Sequence, residues 1–270
     1  MNTNSIQKQF LQMGVRLKVE PPRLRKRWER RSDTYSVDVR EDNEGEYYVL
    51  LVPDHQSGEV DAQVLQARPK EQHLLLMLRE DRDSRIDRFL CGHDEREWFV
   101  AAVPDRVSTV ADALESLKPY AVRIAQARLG LKRKLHQKRK NKAFIRQGEW
   151  FFLPTEVQVE AMTVLRWEPV ARSGGKPHMV EFLVRTGGQL VYFCQRHPRM
   201  LTETAYHRFL ARNPKAKSWK WDVRRVSPRV YAKGQIRHPD HKTVTLDQWH
   251  EVLMNTENQS ETMRHVAFID

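Results

Sequence analysis

The stretch SLKPYAVRIAQARLGLKRKLHQKRKNKAFIRQ, residues 116–147, decides how the rest of the chain is arranged. It holds 11 Lys and Arg residues, and no Asp or Glu occurs between Glu115 and Glu149. Like charges at this density repel one another, so the run stays extended or helical in water unless a polyanion compensates it. Two interpretations follow: a solvated connector between two domains, or an element that contacts phosphate groups.

This connector also carries a helical pattern of apolar residues. Thr109 followed by Asp112 is typical of a capped helix start, with an acidic residue near the positive end of the helix. From Leu114 onward, apolar residues recur at alternating steps of three and four positions. We therefore predict a helix that is kinked near Pro119, ends before Lys140 and presents one apolar stripe and one basic face. The candidate phosphate contacts in this stretch are Lys132, Arg133, Lys138 and Arg139.

Length and composition bound the class of protein. A chain of 270 residues with 40% hydrophobic residues can form real cores, and two domains of ordinary size are expected. The net charge of +12 favours nucleic acid or another polyanion as partner. Cys91 and Cys194 are too few for a disulfide framework, which favours a reducing cytosol. No apolar run approaches the roughly 20 residues that span a bilayer, and no signal core is present, so a cytoplasmic location without membrane contact is expected.

Around the connector, the pattern favours short strands and helices. Residues 10–19 alternate apolar and polar side chains up to a proline pair, which is typical of a strand. Residues 179–185 and 189–194 flank Thr186-Gly187-Gly188, and this arrangement predicts a β-hairpin. Thr202 is placed to cap a short helix.

Three segments echo one another along the chain. Each begins with an acidic residue and two aromatic residues and runs through apolar residues to a proline; the segments start at Glu46, Glu97 and Glu149. The pattern favours a repeated β-unit. The alternative is chance, because strands that stop at a proline are common.

Together these patterns predict an α+β fold. It has two small domains of mostly antiparallel β hairpins with short helices, joined by the basic helical connector. The predicted N-terminal domain spans residues 1–118 and includes a basic arm. The connector spans residues 119–148, and the C-terminal domain, with a basic and aromatic stripe, spans residues 149–270.

Two further clusters combine cations with tryptophan. Residues 23–31 form the basic arm, in which six of nine residues are Arg or Lys, with candidate contacts at Arg25 and Arg27. Residues 215–237 form the stripe, where basic residues surround two closely spaced Trp, as sequence-tolerant binding of single strands requires. Its candidate contacts are Lys217, Trp219, Lys220, Trp221, Arg224 and Arg225. The alternative for the stripe is that the Trp side chains pack in a core while the cations face water.

One combination of residues has metal-like spacing. Cys194 and His197 are separated by two residues, as are His238 and His241, and the two pairs could complete a tetrahedral zinc site if they meet. Structural zinc usually draws on more thiolates, and Arg196 beside one ligand opposes the cation. We therefore predict neither a bound metal nor a small-molecule cofactor.

The same histidines allow acid–base chemistry on a phosphodiester. Imidazole titrates near neutral pH, and flanking cations stabilise charge that develops on phosphate. The candidate catalytic residues are His238, His241, His250 and Lys242. Carboxylates for a magnesium site would come instead from the turn that contains His93, Asp94 and Glu95.

Four stretches, residues 89–96, 98–102, 254–257 and 263–268, resemble those of an uncharacterised group of bacterial proteins. The resemblance spans nearly the whole chain and implies a bacterial origin, but it brings no activity and no assigned site. The leading hypothesis is a protein that binds single-stranded or structured RNA or DNA, within a larger bacterial assembly. The alternatives are a nuclease-like enzyme that uses the region around residues 238–250 and a basic scaffold for an acidic protein partner.

Overall fold

The computed structural model describes residues 3–21, 35–52, 60–80, 85–159, 162–171 and 176–257. The five helices of these residues are α1 (Thr3–Met13), α2 (Val110–Ser116), α3 (Tyr120–Arg128), α4 (Arg133–His136) and α5 (Glu203–Arg212). The first nine strands are β1 (Arg16–Glu20), β2 (Ser36–Asp42), β3 (Gly45–Leu51), β4 (Val60–Arg68), β5 (His73–Glu80), β6 (Arg85–Asp94), β7 (Glu97–Val103), β8 (Ile145–Gln147) and β9 (Trp150–Pro154). The remaining seven are β10 (Leu165–Val170), β11 (His178–Thr186), β12 (Gln189–Cys194), β13 (His197–Thr202), β14 (Asp222–Val226), β15 (Arg229–Arg237) and β16 (Val244–Met254). Among the described residues, no helix has the length and apolar character needed to cross a membrane.

The predicted α+β class is confirmed, and nearly all described strand pairs are antiparallel. The strands form four sheets, with the orders β1-β3-β2, β4-β5-β6-β7, β10-β11-β15-β16-β9-β8 and β13-β12-β14. The parallel pair is β1 with β3. The division into domains at residues 118 and 149 stays a prediction.

The N-terminal sheets share one core with α1. The strand predicted over residues 10–19 is wrong for its first part, because α1 continues to Met13 and β1 begins only at Arg16. Ile6, Phe10 and Met13 are buried at helical spacing, and Phe10 packs on Tyr48 with ring centroids 5.0 Å apart. Burial of this helical stripe overrides the short alternation of apolar residues.

The connector is packed against the rest of the protein rather than solvated along its length. In place of one kinked helix it forms α2, α3 and α4, which break at Pro119 and at Gly130, a residue with φ of 55°. Val122 and Phe144 form a small core with Phe151. The buried Lys118 ammonium donates to Glu115 at 2.6 Å and to the His136 carbonyl at 2.9 Å.

The three segments that echo one another share a local role. Each follows a tight turn and starts the second strand of a hairpin, namely β2–β3, β6–β7 and β8–β9. These hairpins lie in three different sheets with different neighbours. The described strands therefore share a position in a hairpin, but they do not form a repeated fold unit.

The hairpin predicted around Thr186-Gly187-Gly188 is wrong. β11 pairs with β10 and β15, whereas β12 pairs with β13 and β14 in a separate sheet. Gly187 and Gly188 have φ of 66° and 78°, a backbone conformation that glycine adopts without strain. The two glycines carry the chain out of one sheet and into another, instead of reversing it within one sheet.

Candidate functional site

A small unit is inserted between two neighbouring strands of the six-stranded sheet. We call residues 189–226 the inserted module; it contains the sheet β13-β12-β14, α5 and a short 3-10 turn, Pro214–Ser218. The predicted cap of α5 is confirmed, because the Thr202 hydroxyl accepts a hydrogen bond from the Ala205 amide. The module thus has its own sheet and helix.

The two connections of the inserted module run side by side. Thr186 at the end of β11 lies opposite Arg229 at the start of β15. A Cβ atom on Gly188 would lie 2.8 Å from the Val226 carbonyl oxygen and 3.0 Å from Pro228. Only glycine permits this approach, so the module is attached through a narrow neck.

The aromatic residues of the module form a packed layer against α5. Trp221 contacts Tyr206 and Phe209 edge-on, with ring centroids 5.0 and 6.1 Å apart, and its indole N–H donates to the Ala216 carbonyl at 2.9 Å. Trp219 lies on Trp221 with centroids 6.1 Å apart and planes inclined by 18°. The Arg196 guanidinium lies 6.0 Å from the Trp219 ring. Both indoles are half-buried, and the Trp219 ring also lies 6.0 Å from the Phe209 ring; Trp221 is the better anchored, because its indole N–H is hydrogen-bonded.

The charge of the inserted module is strongly one-sided. It contains nine Lys and Arg residues but only two carboxylates, Glu203 and Asp222. All nine cationic residues are exposed. They are Arg196, Arg199, Arg208, Arg212, Lys215, Lys217, Lys220, Arg224 and Arg225. Within the described part of the chain, none of them forms an ion pair. The positive charge of these nine residues is therefore balanced by solvent and counterions.

The candidate cations of the connector divide into two groups. Arg139 forms ion pairs with Asp94 and Glu95, where β6 turns into β7. Its charge is therefore already neutralised within the protein and does not attract phosphate. Lys132, Arg133 and Lys138 are exposed. Arg133 lies 3.9 Å from the Asp112 carboxylate. The candidates Arg25 and Arg27 of the basic arm, like the closing segment 263–268, lie outside the described residues.

The residues considered for a magnesium site and for a Cys194–His197–His238–His241 zinc site do not come together in the described residues. Asp94 and Glu95 face Arg139, and Asp94 also accepts from Arg146 at 3.1 Å, so these carboxylates are neutralised by guanidinium groups. Cys194 and His197 lie in the inserted module, where His197 packs on Phe209 with centroids 4.8 Å apart. Among the described residues, these two are not grouped with His238 and His241.

A histidine outside the predicted set joins His238 and His241. We call His178, His238 and His241 the histidine cluster; the ring centroids of His178 and His238 are 4.2 Å apart, and those of His238 and His241 are 4.6 Å apart. His178 lies 60 positions before His238 in the sequence. The antiparallel register, in which Met179 lies opposite Arg237, brings the two together. Correct pairing of β11 with β15 is the signal that could have found His178.

The other two catalytic candidates, His250 and Lys242, do not belong to the histidine cluster. His250 is buried in β16, opposite Ala232 and Pro154, and its ring contacts the Gln248 carbonyl at 2.7 Å. The Lys242 amide donates to Glu95 at 2.9 Å, while its side chain is exposed. The four candidates therefore do not form one acid–base group.

Each ring of the histidine cluster has a fixed hydrogen bond. His178 Nδ1 contacts the Gln147 side-chain oxygen at 2.9 Å, and His241 Nδ1 contacts Glu95 at 3.2 Å. His238 Nε2 contacts the Lys176 carbonyl at 3.2 Å, while its Nδ1 accepts from the Asp240 amide at 3.1 Å. Burial lowers the pKa of His238, and the neighbouring His178 and His241 lower it further. The neutral form of His238 is therefore favoured.

The chain thus presents two separate candidate sites, a cationic module with a tryptophan pair and a histidine cluster in which His178 is buried and His238 and His241 are partly buried. The resemblance to uncharacterised bacterial proteins stays a hypothesis. No family model, no curated protein and no solved structure matches this chain.

Proposed function

We propose that this protein binds nucleic acid through the inserted module and that single strands are its preferred ligand. The observation that carries the proposal is the set of nine exposed cations, without ion-pair partners in the described residues, around the half-buried pair Trp219 and Trp221. The connector also has exposed cations beside the exposed Tyr120, whose ring lies 5.8 Å from the Arg123 guanidinium, but in the described residues it offers one phenol ring and not a pair of stacked indoles.

The charge arrangement favours a polyanion over a merely solvated surface. Solvated protein surfaces usually intersperse both signs of charge, whereas this module has nine cations to two carboxylates. Phosphate groups that displace counterions from such a surface gain affinity without base contacts. The exposed residues Lys132, Arg133 and Lys138 of the connector can extend the same attraction.

The tryptophan pair favours single strands. Unpaired bases stack on aromatic rings, with about 1–3 kcal/mol per base by alanine substitution, whereas bases in a duplex are already stacked. Trp219 lies beside the cations of Arg196 and Lys220. Stacking and phosphate attraction do not distinguish one base from another, so we expect the protein to bind single strands of many sequences.

The nuclease-like alternative is weaker, because its candidate residues do not lie together. His250 is separate from the histidine cluster. The scaffold for an acidic protein needs only charge and would make no use of the stacked Trp pair.

A charge-matched comparison tests the proposal. One variant replaces Lys217, Lys220 and Arg224 by Gln; the control replaces Lys8, Lys70 and Arg106, which are equally exposed but lie in the N-terminal part of the chain. Both lose two lysines and one arginine. Affinity for labelled single-stranded DNA and RNA is measured by fluorescence anisotropy over a range of salt concentrations.

The module variant is expected to bind more weakly to every sequence and to flatten the slope of log affinity against log salt by up to about 2, since each phosphate contact on a single strand contributes about 0.7. The control variant should behave like the parent protein. Equal effects of the two variants would show that only net charge matters, and no binding by the parent would refute the proposal.

A further inference from the structure

We propose that His178, His238 and His241 form a binding site for one divalent transition-metal ion of the zinc class. This inference does not depend on nucleic-acid binding, and it replaces the expectation from the sequence that no metal is bound. One ring nitrogen from each of the three residues lies within 4.8 Å of the others. Within the described residues, this is the only such group of histidine, cysteine or acidic side chains.

The hydrogen bonds leave one unprotonated nitrogen on each ring. His178 donates from Nδ1 to Gln147, and His241 donates from Nδ1 to Glu95, so Nε2 keeps a lone pair in both. His238 accepts the Asp240 amide at Nδ1, so its proton lies on Nε2, toward the Lys176 carbonyl. Histidine ligands in proteins are oriented in this way, with the second ring N–H held by a carboxylate, a carbonyl or a similar acceptor.

The rings are stacked with planes inclined by 22–27°, so they must turn as well as draw together before their lone pairs meet at one ion. Zinc–nitrogen bonds of about 2.0–2.1 Å with tetrahedral angles place ligand atoms about 3.4 Å apart. One nitrogen of each ring already lies within 4.8 Å of the others, so the contraction that accompanies this rotation is short. His238 would exchange its bond from the Asp240 amide for the metal, while keeping its contact with Lys176.

The surroundings of the free nitrogens suit a cation. A Cβ atom at Gly148 would lie 2.8 Å from His241 Nε2 and 3.4 Å from His178 Cε1, so the glycine leaves room at the ligand atoms. The Glu149 carboxylate lies 3.7 Å from His178 Nε2, and that of Asp240 lies 3.8 Å from His238 Nδ1. Glu149 thus places negative charge beside the lone pair of His178, whereas the Asp240 carboxylate is already ion-paired with Lys176 at 2.8 Å.

The ligand set also selects the class of metal. Three imidazoles suit zinc, cobalt, nickel or copper, whereas magnesium and calcium require oxygen ligands. Three protein ligands leave one position of a tetrahedral ion open, as in catalytic zinc sites. Gly148, Glu149 and His241 also line a cleft of about 410 Å³, into which that position can open.

Metal titration of the untagged, chelator-treated protein tests the site. We expect one Co²⁺ ion per chain, with the visible absorption of a four-coordinate ion, and competition by Zn²⁺ but not by Mg²⁺. His241→Ala should lower the affinity by more than about 100-fold, because a ligand matters more than the 10–100-fold effect of its supporting residues. His207→Ala, at an exposed position in the inserted module, is the matched control and should bind like the parent.

Two further measurements test the site even if the His241→Ala protein does not fold. Glu95→Gln keeps an acceptor for His241 but removes the charge, so it should weaken binding by about 10–100-fold while circular dichroism stays unchanged. Affinity should also fall as the pH is lowered, since imidazole must be neutral to bind metal. Absence of binding in the parent, or unchanged affinity in a folded His241→Ala protein, would overturn the proposal.

Discussion

Replacing residues 187–228 by an Asn-Gly dipeptide is expected to leave a folded protein that has lost most of its affinity for nucleic acid. Thr186 and Arg229 already lie opposite each other in the β11–β15 pair. Asn-Gly favours the two-residue turn that joins such strands. The excision therefore closes a hairpin within the six-stranded sheet, whose core residues Val180, Ile236 and Leu246 lie outside the inserted module.

The expected loss is large because the excision removes the cations and the aromatic layer together. Nine Lys and Arg residues and two carboxylates are deleted, which lowers the net charge from +12 to +5. Proteins that make 6–10 phosphate contacts owe factors of about 10³–10⁵ in affinity to the ionic term over a moderate range of salt. We expect at least about a 100-fold loss at moderate salt.

Anisotropy titration measures the affinity of the excised protein, and circular dichroism with thermal unfolding verifies its fold. An excised protein that is folded and binds with the affinity of the parent would move the interface elsewhere. The exposed residues Lys132, Arg133 and Lys138 of the connector would then be the leading candidates.

Replacing each tryptophan of the inserted module by alanine is expected to have a different effect. Trp221→Ala should lower the stability of the module, and Trp219→Ala should lower its affinity for single strands. Trp221 packs against Tyr206 and Phe209 and donates to the Ala216 carbonyl. Its loss should destabilise the module by about 2–4 kcal/mol, somewhat less than the roughly 3–5 kcal/mol of a fully buried aromatic residue. Trp219 contacts fewer rings and lies beside the Arg196 guanidinium, so Trp219→Ala should instead weaken single-strand binding by about 1–3 kcal/mol, or roughly 5- to 150-fold.

Stability and binding are measured separately for the two variants, by thermal unfolding and by titration with single-stranded and duplex DNA. Trp167→Ala is the matched control, because Trp167 is 37% exposed and lies 4.5 Å from the Arg237 guanidinium, but is outside the inserted module. The control should leave single-strand affinity unchanged. An equal loss on single-stranded and duplex DNA in Trp219→Ala would contradict base stacking.

Local signals in the sequence predicted elements well where the structure depends on nearby residues. The helix start at Thr109 is confirmed, with its hydroxyl accepting from the Asp112 amide at 3.1 Å, and the cap at Thr202 is confirmed as well. The hairpin predicted at Gly187-Gly188 is wrong, because glycines indicate where the chain changes direction but not which strand pairs next. Strand partners depend on residues far along the chain, as with Thr186 and Arg229.

The same limit applies to the candidate sites. The basic stripe is visible in the sequence because its cations and Trp219 and Trp221 are close together along the chain. The ion pairs of Arg139 join it to Asp94 and Glu95, more than 40 positions away, and no local pattern reveals them. His178 was missed for the same reason, since its place beside His238 follows from the register of β11 with β15.

Photo-cross-linking of a single-stranded oligonucleotide to the 270-residue protein, with identification of the linked peptides by mass spectrometry, tests the central claim most directly. We expect the cross-links to fall within residues 189–226, with Trp219 among the modified side chains, and to decline as salt is raised. Cross-links confined to other parts of the chain, or none at low salt, would contradict the assignment of the inserted module as the nucleic-acid surface.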